Sequence, residues 1–404
     1  MRALEYRLSI PRYLMSRACA RIWPHRFVRL VSSLRLRDVA EPTLPGPEWV
    51  RIRVERCGIC GSDLNALRGE ESYSMEPYAS FPAVMGHEII GRVVECGSSV
   101  RDVAEQTRVA VENVLPCAAR GITPPCPACA AGDYAVCENF TQGNLPPGVI
   151  TGFTRGLGGG WGETVVAHRS QLFPVPESIP LDQAVLIDSI ASALQPVADH
   201  FPAAHETVLV IGAGIIGLHV VQCLRFAGFT GSLLVVARHD FQAAWAERLG
   251  ATHVLRRDLI PAIANLTGAR LYRPTLGLPV LDGGVDRVFD CVGASGTIDM
   301  ALRVLRKRGS LIVVGTASQL NRVDASPLWF KEIRMTGSAM FAHSTVRGLR
   351  QRTYQHVIDG LAQGTLRGNG LVTHQFPLRA YAHALTVALD KRRFQSLKVA
   401  FTPD

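Results

Sequence analysis

Two groups of residues in this chain have the types and the spacing to hold a metal ion. The first starts at Cys57-Gly-Ile-Cys60-Gly-Ser62-Asp63, which sets a thiol, a hydroxyl and a carboxylate within four positions. Gly86-His87-Glu88 follows, with Gly86 26 residues after Cys60. Thiolate, imidazole and carboxylate together are the ligand set of a catalytic zinc that keeps one coordination position open. Taken singly, Cys60 reads as a buried thiol and His87 as an unrelated core histidine. The pairing of the two motifs is what points to chemistry.

The second group is Cys117-x8-Cys126-x2-Cys129-x7-Cys137, four thiols within 21 residues. Four thiolates around zinc make a closed tetrahedral site with no room for substrate, hence a structural one. The chain's ten cysteines are not spread as a disulfide framework; their clustering suits metal binding in a reducing compartment. Asp188 is a further candidate, set in the apolar run Gln183-Ala-Val-Leu-Ile-Asp188-Ser-Ile-Ala-Ser192. A carboxylate within an apolar helix is costly unless paired or bound to metal. An exposed acid at a helix start is the competing reading.

A different chemistry begins at Thr207-Val-Leu-Val-Ile211, a buried strand followed at once by Gly212-Ala-Gly214-Ile215-Ile216-Gly217 and the helix Leu218–Ala227. With a second strand at Leu233–Ala237, this is the fingerprint of a dinucleotide-binding turn. Gly212 permits the tight turn, Gly214 lets a pyrophosphate reach the backbone, and Gly217 lets helix pack on strand. The start of that helix, after Ile215, Ile216 and Gly217, supplies unpaired N–H groups and a partial positive charge for the phosphates.

Elements must hold these residues in place. Val50, Ile52 and Val54 alternate, so a strand with one buried face leads into the turn at Gly58 and Gly61. Ile89–Cys96 reads as a strand ended by Gly97, and Thr164–Ala167 as another. Between them, Gly69–Pro82 and the glycine-rich 143–162 read as loops; Gly158-Gly-Gly160 precedes a strand rather than a helix and makes no phosphate cradle. Val285–Asp290 and Ser310–Val314 read as parallel strands joined by the helix Thr297–Leu305. Cys57 and Cys291 read as packing.

At 404 residues the chain predicts two domains. Its hydrophobic content of 47% is globular, and no apolar stretch is long enough to span a bilayer. The net charge of +9 is scattered and almost wholly arginine, so a solvated basic surface is favoured over nucleic-acid or membrane binding.

Cys-Gly-Ile-Cys-Gly-Ser-Asp followed by Gly-His-Glu resembles the zinc-dependent medium-chain alcohol and polyol dehydrogenases. The resemblance covers most of the chain, apart from an N-terminal insertion, the loop between Cys117 and Cys126, and parts of 143–160. It implies an α/β chain: a chaperonin-10-like β-barrel catalytic domain over 1–187, completed by 341–404, and a doubly wound Rossmann domain over 188–340. Met1-Arg-Ala-Leu-Glu-Tyr6 resembles the family's first strand, so the arginine-rich start with its apolar patches Ile10–Met15 and Phe27–Val31 is read as an insertion before Leu34–Val39 rather than a transit peptide.

By the same resemblance, Cys60, His87 and Asp188 are ligands of a catalytic zinc, and Glu88 is an intermittent or additional one. Asp63 orients His87. Ser62 contacts the substrate oxygen and starts a proton relay; where relatives continue that relay with a histidine, this chain has Asn65. Cys117, Cys126, Cys129 and Cys137 are the structural-zinc ligands, with a longer gap after the first than relatives show. Ser192 falls near the nicotinamide. Counting back from Gly250-Ala-Thr252, the position where an NAD enzyme carries an acid is Ala237, and Arg238 beside it suits a 2′-phosphate; NADP is therefore favoured over NAD. Asp240 is expected to cap the helix that contains Ala243–Leu249. The partners implied are a small alcohol or carbonyl substrate and further copies of the chain, as a dimer or tetramer; the compartment implied is the cytoplasm. The competing functions are a zinc-free NADPH-dependent reductase of the same superfamily and a non-catalytic NADPH-binding protein.

Two separate ligand sets predict two zinc ions per chain by metal analysis of protein purified without chelator. Cys129→Ser is expected to impair folding, because structural zinc supplies folding free energy. Cys60→Ser is expected to leave a folded, inactive protein, and near-normal turnover in it would refute the open site.

Overall fold

Trp49–Gly58 is the strand around which the first half of the chain assembles. Val50, Ile52 and Val54 are buried as their alternation requires. In this computed structural model, which describes residues 1–22, 28, 32–316 and 318–403, that strand pairs on both sides. Ile89–Cys96 lies antiparallel to it along nearly its whole length. Thr164–His168 pairs with its first half and Lys398–Thr402 with its end. Arg108–Val111, Leu172–Pro174 and Val372–Pro377 complete a seven-stranded sheet. Arg2–Tyr6, Leu34–Asp38 and Ala83–Val84 form a small second sheet, as a strand at the chain's start predicts. A helix, Ile10–Ile22, occupies the stretch between the first two of these; the apolar patch at 27–31 lies, apart from Val28, outside the described residues.

By compactness the chain divides into Met1–Asp188 with Met340–His343 and Arg352–Asp404, and Ser189–Ala339 with Ser344–Gln351. Each unit has its own apolar core.

The second unit is an α/β layer structure. Its six strands run parallel in the spatial order His253–Leu255, Leu233–Val236, Val208–Ile211, Val285–Asp290, Leu305–Val313 and Arg334–Gly337. In chain order this is 3-2-1-4-5-6, the doubly wound arrangement whose ligands sit at the strand-order reversal. The reversal falls beside Val208–Ile211, the strand that leads into the glycine turn. Parallel neighbours need crossover helices, here Ile215–Phe226, Asp240–Arg248, Leu259–Thr267 and Ser295–Val304. Asp240 differs from expectation: His239 takes the cap position, and Asp240 is the first helical residue, ion-paired with Arg256.

Among the described residues, no helix is long and apolar enough to cross a membrane.

Gly217 shows how tightly helix and strand meet here. A Cβ at that position would lie 1.8 Å from the Gly212 carbonyl oxygen. Gly217→Ala must push the helix away from the turn. It is expected to lower stability by roughly 1–3 kcal/mol, the usual cost of overpacking. Thermal unfolding and a fluorescence titration with nicotinamide dinucleotides would both register it, and unchanged values in both would contradict the packing role.

Candidate active site and metal centres

Cys60 sits where the central strand ends and the helix Gly61–Arg68 begins, in extended backbone at the cap position. Its own N–H donates to Asp63 Oδ2 at 2.9 Å. One carboxylate thus fixes the turn that carries the thiol, while its other oxygen, Oδ1, lies 3.4 Å from His87 Nδ1. Asp63 is fully buried and His87 nearly so, with the Phe153 ring packed 5.8 Å away. Burial works against protonation of His87, but the charge of Asp63 and the Cys60 thiol outweigh it and raise the imidazole's proton affinity well above the ordinary value. Ser62 is half-buried on the same helical turn, and Asn65 lies one turn along.

Cys60, His87 and Glu88 converge, with one ligand atom from each inside a 4.8 Å group. Glu88 is held by Lys398, which pairs with its carboxylate and donates to Ile59 O at 3.3 Å. Both partners are almost wholly inaccessible. Burial opposes the charge on Lys398, and Glu88 overrides it, so the ammonium is retained. Gly58 leaves the space: a Cβ there would fall 1.8 Å from Glu88 Oε2 and 2.8 Å from the Lys398 side chain.

Asp188 is not one of the three groups inside that 4.8 Å cluster. It is buried nearby in the first unit, and its Oδ2 accepts from Asn113 Nδ2 and from Tyr354 OH, each at 2.7 Å. Burial first, and then the charge of Glu88, push its pKa up to about 7. Sequence reasoning missed Lys398, Asn113 and Tyr354. Lys398 alone left a trace, as one of four lysines in the chain and the only charge in the otherwise apolar run Leu397–Phe401.

The four cysteines of the second group also converge, each with its sulfur inside a 4.8 Å group. Cys117 and Cys137 Sγ are 3.7 Å apart. The N–H of Cys126 and the amide of Asn139 both donate to Cys117 Sγ at 3.3 Å, and Cys129 N–H donates to Cys126 Sγ at 3.4 Å. Donors aimed at sulfur favour thiolate. Burial resists ionisation of Cys126, but the backbone N–H groups of Cys129 and Glu138 and the Cys117 and Cys129 thiols bring it down to about 7, while burial raises Cys129 and Cys137. Four thiols this close, with donors and no disulfide, fit a divalent soft cation. The Cys60, His87 and Glu88 set fits zinc by its mixed donors.

In the second unit, Gly212 adopts φ +95°, and Gly214 precedes the helix Ile215–Phe226. That helix has no side-chain cap at its start, which leaves its first-turn N–H groups for a pyrophosphate. Ala237 is buried at the end of Leu233–Val236. Arg238 is exposed, and no carboxylate pairs with it among the described residues. Ser192 is half-buried on the helix Ile187–Asp199 and belongs to this unit. Asp290, which the sequence reading passed over, is fully buried and ties the turn after its strand by accepting from Val292 N–H, Gly293 N–H and Thr297 Oγ1.

Comparison with known proteins gives one consistent result. The alcohol dehydrogenase GroES-like domain family matches residues 46–177, and the zinc-binding dehydrogenase family matches 216–358. Sorbitol dehydrogenase of Bacillus subtilis is 26% identical over 377 residues, covering 91% of this chain and 95% of its own. L-Idonate 5-dehydrogenase of Vitis vinifera is 25% identical, covering 86% and 85%. Among solved structures, a Sinorhizobium meliloti 1021 protein described as a zinc-binding dehydrogenase, bound to NADP, is 27% identical with a TM-score of 0.70, covering 92% of this chain and 95% of its own.

Lys398→Met would leave Glu88 as an unpaired buried carboxylate. The expected loss is roughly 3–5 kcal/mol of folding stability, the scale for breaking a buried pair from one side. Adding Glu88→Gln should recover much of that loss. Denaturant titration of the parent protein and these two variants measures both quantities, and a loss below about 1 kcal/mol would mean the pair is not structural.

Proposed function

Because the chain belongs to the zinc-dependent medium-chain alcohol and polyol dehydrogenases, we propose that it oxidises a small alcohol or polyol, or reduces the corresponding carbonyl, with zinc at the Cys60 site and a preference for NADP. The observation that carries this reading is the convergence of Cys60, His87 and Glu88 in the first unit. Cys60 and His87 are the protein ligands in this reading. Asp188 would be the third by the family resemblance, although it lies outside that group with Asn113 and Tyr354 on its Oδ2, and Glu88, paired with Lys398, would be an intermittent or additional ligand. A zinc ion held there would polarise the substrate oxygen and lower its proton affinity. The nicotinamide, when bound, would supply the hydride acceptor.

The chain's own groups do the rest. Asp63 fixes His87 and the Cys60 turn together, so the ligands are placed before any metal or substrate arrives. Asn113 and Tyr354 occupy one oxygen of Asp188, which limits how its carboxylate can turn. Ser62 takes the proton from the substrate hydroxyl as its own hydroxyl proton passes to solvent water. Past Ser62 the relay lacks a histidine, since Asn65 cannot carry a proton at neutral pH. Gly212, Gly214 and the N–H groups of Ile215, Ile216 and Gly217 hold the pyrophosphate. Ser192 stands near the nicotinamide, and Arg238 meets the 2′-phosphate through parallel hydrogen bonds. The closed cysteine group holds a second, structural zinc. Ten free cysteines support a reducing, cytoplasmic setting, and the chain works as a homo-oligomer.

Steady-state kinetics on a panel of alcohols and polyols, with NADP and NAD compared on each, test the proposal. NADP should win by roughly tenfold in kcat/KM, about 1.4 kcal/mol of differential transition-state binding, a modest figure because Arg238 is exposed. Ala237→Asp with Arg238→Ile should turn the preference toward NAD. Equal or better efficiency with NAD in the unmutated enzyme would defeat the cofactor assignment. Absence of hydride transfer across the whole panel, from protein with zinc bound, would defeat the activity.

A further inference from the structure

Arg120 lies in the extra loop between Cys117 and Cys126, and it is fully buried. Among the described residues, no carboxylate pairs with it. Its guanidinium donates only to backbone carbonyls of the following loop: Gln142 O at 3.0 Å, Pro146 O at 3.3 Å, Leu145 O at 3.5 Å, and Gly148 O. Its Nε is buried without a partner. Carbonyl dipoles stabilise a cation but do not neutralise it, and a buried cation without a counter-charge is costly. Arg120 is tied to the cysteine group by its backbone, its N–H donating to Cys117 O at 3.1 Å; burial lowers the guanidinium's proton affinity, and the neighbouring Cys137 and Cys117 sulfurs raise it.

The four-cysteine group has the opposite need. Four thiolates around a divalent cation carry a net charge of about −2. Local N–H donors spread that charge without cancelling it. We propose that Arg120 is the internal counter-cation of the four-cysteine metal site and, through its carbonyl contacts, the latch that ties the order of residues 142–148 to occupation of that site. This rests on the reading that the cysteine group holds zinc.

The backbone makes the link mechanical as well as electrostatic. Arg120 N–H is bonded to the Pro116 and Cys117 carbonyls, and Asn144 N–H donates to Arg120 O at 3.0 Å. The loop is therefore gripped from both the side chain and the main chain of one residue. Beyond Gly148, Leu115 N–H donates to Val149 O, and Thr151 N–H donates to Asn113 O. Phe153, which packs against His87, follows directly. The closed site thus braces the wall of the open one.

The test uses the full chain with Cys60→Ser as background, so that the cysteine group is the zinc pool observed. Zinc release to a metallochromic chelator is timed for Arg120, Arg120→Lys and Arg120→Met proteins, alongside limited proteolysis within 142–148. Arg120→Met should release zinc at least tenfold faster and expose the loop. Arg120→Lys keeps the charge but cannot reach several carbonyls, so it should retain zinc nearly as Arg120 does while the loop is cut faster. Equal release from Arg120→Met and Arg120 overturns the counter-cation. Equal release from Arg120→Lys and Arg120→Met overturns it too, since charge would then not matter. Should Arg120→Met fail to fold, the parent protein decides: stripping zinc from the cysteine group should open the loop to protease, and a loop still protected overturns the latch. A Cys60→Ser protein purified with no zinc at all overturns both this inference and the structural-zinc reading, whereas zinc present with unaltered release overturns this inference alone.

Discussion

The buried pair between Glu88 and Lys398 is the constraint on which the candidate active site depends. It joins positions 310 residues apart and sits within the space that Gly58 leaves. Two charges out of water are tolerable only when they meet each other in good geometry. The C-terminal strand Lys398–Thr402 must therefore dock on Trp49–Gly58 before the Cys60 turn has a finished floor. That strand pairing places Ile59 N–H on Val399 O, and the pairing with Ile89–Cys96 places Gly58 N–H on Glu88 O. Ligand placement at Cys60, His87 and Glu88 is thus a by-product of closing the sheet.

The two metal-binding groups solve opposite problems in the same unit. At the Cys60 group, charges are matched within the protein: Lys398 with Glu88, and Asp63 with His87. A site balanced in this way stays ordered while one position remains free for a substrate. The cysteine group carries sulfur ligands, two backbone N–H donors and the Asn139 amide, and its order would come from a metal enclosed there. Arg120, fully buried and bonded through its N–H to Cys117 O, is the counter-charge proposed for it.

In the second unit the chemistry is carried by backbone rather than side chains. The glycine turn, the helix start and the strand-order reversal coincide at Val208–Gly217, so a phosphate would meet N–H groups instead of lysines. Side-chain selectivity is left to the exposed end of Leu233–Val236. A small buried Ala237 and a free Arg238 stand there in place of an acid.

Much of this was legible in the chain itself. The alternation of Val50, Ile52 and Val54, the Cys60–Asp63 turn, the clustered cysteines and the Gly212–Gly217 turn are local patterns with periods or spacings of a few residues, and local sterics and donor chemistry suffice to read them. Position 240 was misread because a helix can be capped by either of two adjacent residues, and only the backbone at His239 decides which. Asn113, Tyr354 and Lys398 had no comparable signal. Their contacts to Asp188 and Glu88 span 75, 166 and 310 residues. No periodicity reaches that far, so the surroundings of each carboxylate, and with them its charge and freedom to turn, were decided only when the sheet closed.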